Sequence, residues 1–60
     1  MADYRAYFVG PDGHFVGFEP ISCADDQEAV ERARLLLTDK DIEVWCSSRL
    51  VTKLDAKPQW

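Results

Sequence analysis

His14, Cys23 and Cys46 are the side chains in this sequence whose types could do chemistry. An imidazole and two thiols are ligand types that zinc takes. Structural zinc sites pair their ligands at short spacings, and these three stand far apart in the chain. The expectation is no bound metal and no cofactor. A histidine is able to carry a proton near neutral pH, but a proton carrier needs a placed partner, and the sequence places none beside His14. It reads as a solvent-facing strand residue hydrogen-bonded to the neighbouring turn. Two cysteines are too few for a secreted disulfide framework, so Cys23 and Cys46 read as free thiols acting as small hydrophobes. No Ser or Cys sits in a nucleophile motif, and Gly10 to Gly13 does not match a phosphate loop. One sheet and one helix leave little room for a ligand cleft of ~300 Å³ or more. The chain therefore reads as a non-enzyme.

The elements that would position these residues are organised around one helix. Residues 24–40, ADDQEAVERARLLLTDK, hold the one sustained helical period. Asp25 is the expected N-cap, and Glu28 completes an Asp-x-x-Glu capping box. Ala29, Val30, Ala33, Leu36 and Leu37 share a face, with two alanines that let the helix lie close to a sheet. Glu28, Glu31, Arg32 and Arg34 point elsewhere, Glu28 can reach Arg32, and Leu35 falls on the polar side. The expected helix covers 25–38.

Strands are expected on both sides of it, at about 3–9, 14–18, 41–45 and 49–54, with a tail over 55–60. Gly10-Pro11-Asp12-Gly13 is a turn in which Pro11 and Asp12 suit the central positions and Gly13 takes the left-handed conformation. In the register that follows, Phe8 lies opposite Val16, so Tyr4, Ala6, Phe8, Val16 and Phe18 share one face. Tyr7, Val9 and Phe15 share the other. Pro20 cannot donate to a ladder, so the second strand lies on an edge or ends there. For the second hairpin, a three-residue loop pairs Val44 with Leu50. That places Ile42, Val44, Leu50 and Leu54 on one face, and register follows such a pattern. Trp45, Arg49, Val51 and Lys53 then take the other.

The string YRAYFVGPDGHFVGF, the alanine-bearing helix and IEVWCSSRLVTKL together resemble a large group of very short, uncharacterised bacterial proteins. The resemblance covers Tyr4 to Leu54 and rests on Asp12-Gly13-His14 and on Glu43-Val44-Trp45 with Arg49. It implies a ββαββ fold and no activity. The turn Cys46-Ser47-Ser48 lacks the glycine that the group's pattern would place there.

The expected architecture is a single α+β domain over 1–60: a four-stranded antiparallel sheet in the order 2-1-3-4, with one helix on one face. At sixty residues the balance of apolar burial against chain entropy is marginal. Net charge is −4, and it is segregated: residues 25–43 hold seven acids and three bases, whereas 44–60 hold one acid and three bases. An acidic balance argues against broad nucleic-acid binding. No apolar run approaches the ~20 residues of a membrane span. With no room for a signal peptide before the first strand, the expected location is cytoplasmic. Both sheet faces are apolar and one helix covers one of them. The uncovered face is the expected interface of a homodimer, formed by Tyr7, Val9, Phe15, Trp45, Arg49 and Val51. The competing expectation is a single-stranded nucleic-acid binder that stacks bases on Tyr7, Phe15 and Trp45, with Arg49 and Lys53 on phosphates. The alternatives are that Trp60, on the tail, covers that face or that the face stays open for a different, unidentified protein partner.

Overall fold

The helix starts where its capping chemistry places it. In a computed structural model that describes residues 1–56, α1 spans Asp26–Leu35. The extended Asp25 caps it, and its carboxylate accepts the Glu28 N–H at 2.9 Å. Glu28 reaches back past the cap to accept the Ala24 N–H at 3.0 Å, so its carboxylate serves the cap and makes no ion pair with Arg32. Asp26 and Glu28 lie in the first turn, Arg32 and Arg34 in the last, each sign at the end the helix dipole favours. The helix stops short of residue 38. Leu36 and Leu37 donate to Ala33 and Arg34, three residues back, which tightens the final turn and closes it before the poor helix formers Thr38 and Asp39. Ala29 and Ala33 are buried against the sheet, Val30, Leu36 and Leu37 pack at its margin, and Leu35 is 84% exposed.

Four strands, β1 (Ala2–Val9), β2 (Phe15–Cys23), β3 (Asp41–Cys46) and β4 (Arg49–Leu54), form one antiparallel sheet in the order β2-β1-β3-β4. The chain is an α+β, ββαββ fold with the helix packed on one face. Among the described residues no helix is long and apolar enough to cross a membrane.

Two registers differ from the sequence expectation: the first by a bulge, the second by a two-residue loop in place of the expected three residues, followed by a bulge. The first turn forms as its residues dictate: Gly13 has φ 86°, its N–H donates to the Gly10 carbonyl, and Gly10 closes the pair with His14 at 2.7 Å. Val16 is then an extra residue, because Val9 pairs with Phe15 but Phe8 pairs with Gly17. A Cβ on Gly10 would sit 3.0 Å from Val16 Cγ1, so this glycine makes room for the bulge. Beyond it every β2 side chain changes face relative to the unbulged register. Ile21 and Cys23 turn inward opposite Tyr4 and Ala2, where Pro20 and Ser22 would otherwise have pointed. Phe18 turns outward, opposite Tyr7. β2 also runs on through Glu19 and Pro20, which is tolerated because it is an edge strand and needs no N–H on its outer side.

The second hairpin has the two-residue loop Ser47-Ser48, with Cys46 opposite Arg49 and Trp45 opposite Leu50. Ser47 has φ 56°, the positive value a type II′ turn requires at its first central position. Continued without a break, this register would bring Lys53 opposite Ile42. Val51 is the extra residue that prevents it, so Ile42 meets Leu54 and Lys53 turns out opposite Glu43. Leu50 therefore joins the outer face beside Trp45, not the core, and Val51 packs against the core.

The core consists of Tyr4, Ala6, Ile21, Cys23, Ala29, Ala33, Ile42, Val44 and Leu54. The chain leaves β4 with the Ala56 N–H bonded to the Asp41 carboxylate at 2.7 Å. The expected tail beyond that point, including Trp60 as a cover, lies outside the described residues.

Candidate interaction face

The strand period sends Arg5, Tyr7 and Val9 of β1 to the face away from the helix. Cross-strand pairing brings Phe15, Phe18 and Pro20 beside them on one side, and Glu43 and Trp45 on the other. Leu50 and Lys53 of β4 complete it. Tyr7 is the centre. Its ring stacks on Phe15 with centroids 4.8 Å apart and meets Phe18 at 5.5 Å. Such pairs prefer this offset or tilted geometry because the rings carry quadrupoles. The Arg5 guanidinium lies 5.1 Å above the Phe18 ring and donates to the Tyr7 hydroxyl at 3.4 Å. Trp45 Nε1 donates to the Glu43 carboxylate at 3.2 Å. Despite this mutual cover, Phe15 is 50%, Phe18 49% and Leu50 39% exposed.

Arg5, Tyr7, Trp45, Pro20 and Ser22 border an open concavity of about 630 Å³ on this face. Its size exceeds the sequence expectation because it lies outside the sheet; the space between sheet and helix is filled by the core. A smaller depression of about 330 Å³ lies beside the first turn, against Pro11, Asp39 and Lys40.

Of the six expected interface residues, Tyr7, Val9, Phe15 and Trp45 are on this face. Arg49 and Val51 are not. Arg49 lies opposite Cys46 on the helix side, where its guanidinium grips Asp26 with two hydrogen bonds of 2.8 and 3.1 Å. The Tyr4 hydroxyl donates to the same carboxylate at 2.7 Å. This joint ties β1, the first turn of α1 and β4. The Arg49 and Tyr4 hydrogen bonds hold the Asp26 carboxyl down at about 2, and Asp26 in turn pushes the Tyr4 phenol up to about 12 and raises Arg49 further. Arg5, Phe18 and Leu50 belong to the face instead. The signal for Phe18 was present in the sequence: Ile21 and Cys23 are the apolar alternation beyond Pro20, and they reach the core only if the register slips by one.

The remaining candidate residues do not converge. His14 is exposed at the turn, where its backbone N–H and Nδ1 contact Asp12 at 3.1 and 2.9 Å and hold that carboxyl below its usual range. Cys23 is buried, bonded to the Asp25 carbonyl at 3.4 Å, and burial pushes its thiol pKa up, away from the reactive thiolate. Cys46 is half-buried at the margin of the core. Among the described residues no group of three His, Cys, Asp or Glu side chains could hold a metal ion. Comparison of the chain with protein-family models, with curated proteins and with solved structures finds no match.

Proposed function

We propose that this chain is a small, non-enzymatic interaction module that associates with a second copy of itself through the outer sheet face. The observation that carries this reading is the aromatic cluster of Tyr7, Phe15 and Phe18 beside Trp45 and Leu50, on a sheet face with no element packed over it among the described residues. A contiguous apolar patch on a small domain favours burial against a partner. In a chain of sixty residues that burial also adds to a marginal core. A twofold pair is the commonest way for identical chains to cover the same patch on each.

The chemistry of the face favours a protein partner over phosphates. Arg49 is engaged by Asp26 on the opposite side. Asp3, Asp41 and Glu43 lie on the face with Arg5 and Lys53, so it offers no basic track for a nucleic-acid backbone. A buried Cys23 and a half-buried Cys46, both free thiols, suit the reducing cytoplasm in which we place the protein. Sedimentation equilibrium of the full chain tests the reading. The expected mass at high micromolar concentration is that of a dimer, and raising the salt leaves association intact. A monomer under those conditions overturns the proposal, and retention of single-stranded oligonucleotides that is lost steeply with salt supports phosphate contact instead.

A further inference from the structure

Five charged side chains stand on the outer face without an ion-pair partner among the described residues, Asp3 and Arg5 on β1, Asp41 and Glu43 on β3 and Lys53 on β4, and the two that flank the β1–β3 seam with opposite sign beside the aromatic rings are Arg5 and Glu43. They are diagonal neighbours, since Arg5 lies opposite Trp45 and Glu43 opposite Tyr7. Yet each is held away from the other. Arg5 leans over Phe18 towards β2, and Glu43 is fixed by the Trp45 indole. A partner that covered this face with apolar groups alone would strip water from both charges and leave them unpaired, which is costly. Lys53 stands opposite Glu43 in the same sheet but forms no ion pair with it, so the face suits a partner that brings a carboxylate to Arg5 and a cation to Glu43.

A second copy supplies both if the twofold axis runs along the seam between β1 and β3, parallel to the strands. Consider the row Phe18, Tyr7, Glu43, Lys53 that crosses the sheet. Rotation about the seam lays Phe18 over the partner's Lys53 and Tyr7 over the partner's Glu43. In the next row, Pro20, Arg5, Trp45, Leu50, it lays Arg5 over the partner's Trp45 and Pro20 over the partner's Leu50. Cations meet ring faces, the phenol meets a carboxylate, and Arg5 comes within reach of the partner's Glu43. An axis running across the strands through the row of Glu43 would instead stack Glu43 on its own copy, a like-charge contact. Resting on the self-association proposed above, we propose that two copies pack outer face to outer face about the β1–β3 seam, with Arg5 of each paired to the partner's Glu43.

The test uses the full chain and two charge reversals, Arg5→Glu and Glu43→Arg, read by sedimentation equilibrium with circular dichroism to confirm folding. Each variant alone sets like charges together across the seam and weakens association by at least about tenfold. An equimolar mixture of the two restores both pairs and forms a heterodimer near wild-type affinity. In place of Glu43→Arg, the variant Asp41→Arg mixed with Arg5→Glu does not restore it. If a reversal unfolds the chain, Arg5→Gln and Glu43→Gln serve in its place, and each is expected to weaken the dimer. A mixture no tighter than its components, equal rescue by Asp41→Arg, or neutral variants that associate like wild type overturns this arrangement while a dimeric wild type retains the self-association. A monomeric wild type removes both.

Discussion

The two faces of the sheet solve the same packing problem with opposite side chains. On the helix side Ala6, Ala29 and Ala33 are fully buried, and the small contact lets the helix lie close over Ile42 and Val44. On the other side the large aromatic rings of Tyr7, Phe15 and Phe18 cover one another only in part, with Trp45 on the neighbouring strand. Polar chemistry divides the same way. The inner margin carries a closed set of contacts, in which Arg49 and Tyr4 both bond Asp26. The outer face carries Arg5 and Glu43, each bonded to an aromatic neighbour and neither, among the described residues, to an opposite charge. The polar contacts of the inner margin close on one another, whereas the outer face leaves Phe15 and Phe18 about half exposed.

The largest effect is expected on the inner face. Ile42→Ala removes a fully buried side chain from the middle of the core and should cost about 2–5 kcal/mol in denaturant melts. That is enough to unfold much of a domain this small. Trp45→Ala, on the outer face, should cost the dilute monomer less than this. It should weaken self-association by about 2 kcal/mol or more, as an interface anchor does. The melting temperature of the wild type should then rise with protein concentration while that of the variant stays flat. A Trp45→Ala monomer that melts below Ile42→Ala would erase the contrast between the faces.

The Asp26 joint sharpens the contrast through pH. The Asp26 carboxyl is lowered from 3.8 to about 2 by Arg49 and Tyr4. Its contribution is therefore present above pH ~4 and lost as pH falls through about 2. The Tyr4 phenol is raised from 10.0 to about 12 by the same carboxylate, so its contribution is present below pH ~10 and lost as pH rises through about 12. Melts across pH should show both losses in the wild type. In Asp26→Asn the acid loss attributable to this site should vanish and the alkaline one shrink. An unchanged pH profile would mean the joint contributes nothing to folding.

The smallest expected effect is a gain. Ser47 holds a positive φ of 56° that glycine adopts without strain, so Ser47→Gly should stabilise the second hairpin by roughly 0.5–1 kcal/mol after glycine's own entropy cost. Equilibrium unfolding that shows a loss instead would place the strain elsewhere in the turn. The first hairpin offers no such gain, because Gly13 already occupies its left-handed position.

Local chemistry made much of this fold readable before any coordinates. The Asp25 cap, the buried alanine face, the exposed Leu35 and the Gly13 turn depend on neighbouring residues or on simple periodicity, and the strand order followed from the handedness of the crossover. Four members of the outer face followed from alternation along β1, β2 and β3. The bulges at Val16 and Val51 did not, since an extra residue leaves the strand pattern locally unchanged and moves only what lies beyond it.

The sequence by itself determined that two strands lie on each side of one helix, though not that β2 runs past Pro20 to Cys23, and also where the helix begins and which of its sides is apolar, because those outcomes are set within a few residues by hydrogen bonding and side-chain period. Only the tertiary structure decided which face Phe18, Leu50 and Val51 occupy, and that Arg49 leaves the outer face for Asp26 across 23 positions of chain. The physical reason is that register answers to the core. Ile21, Cys23 and Leu54 must reach the apolar space under one helix, and a single inserted residue in each hairpin is the displacement that brings them there.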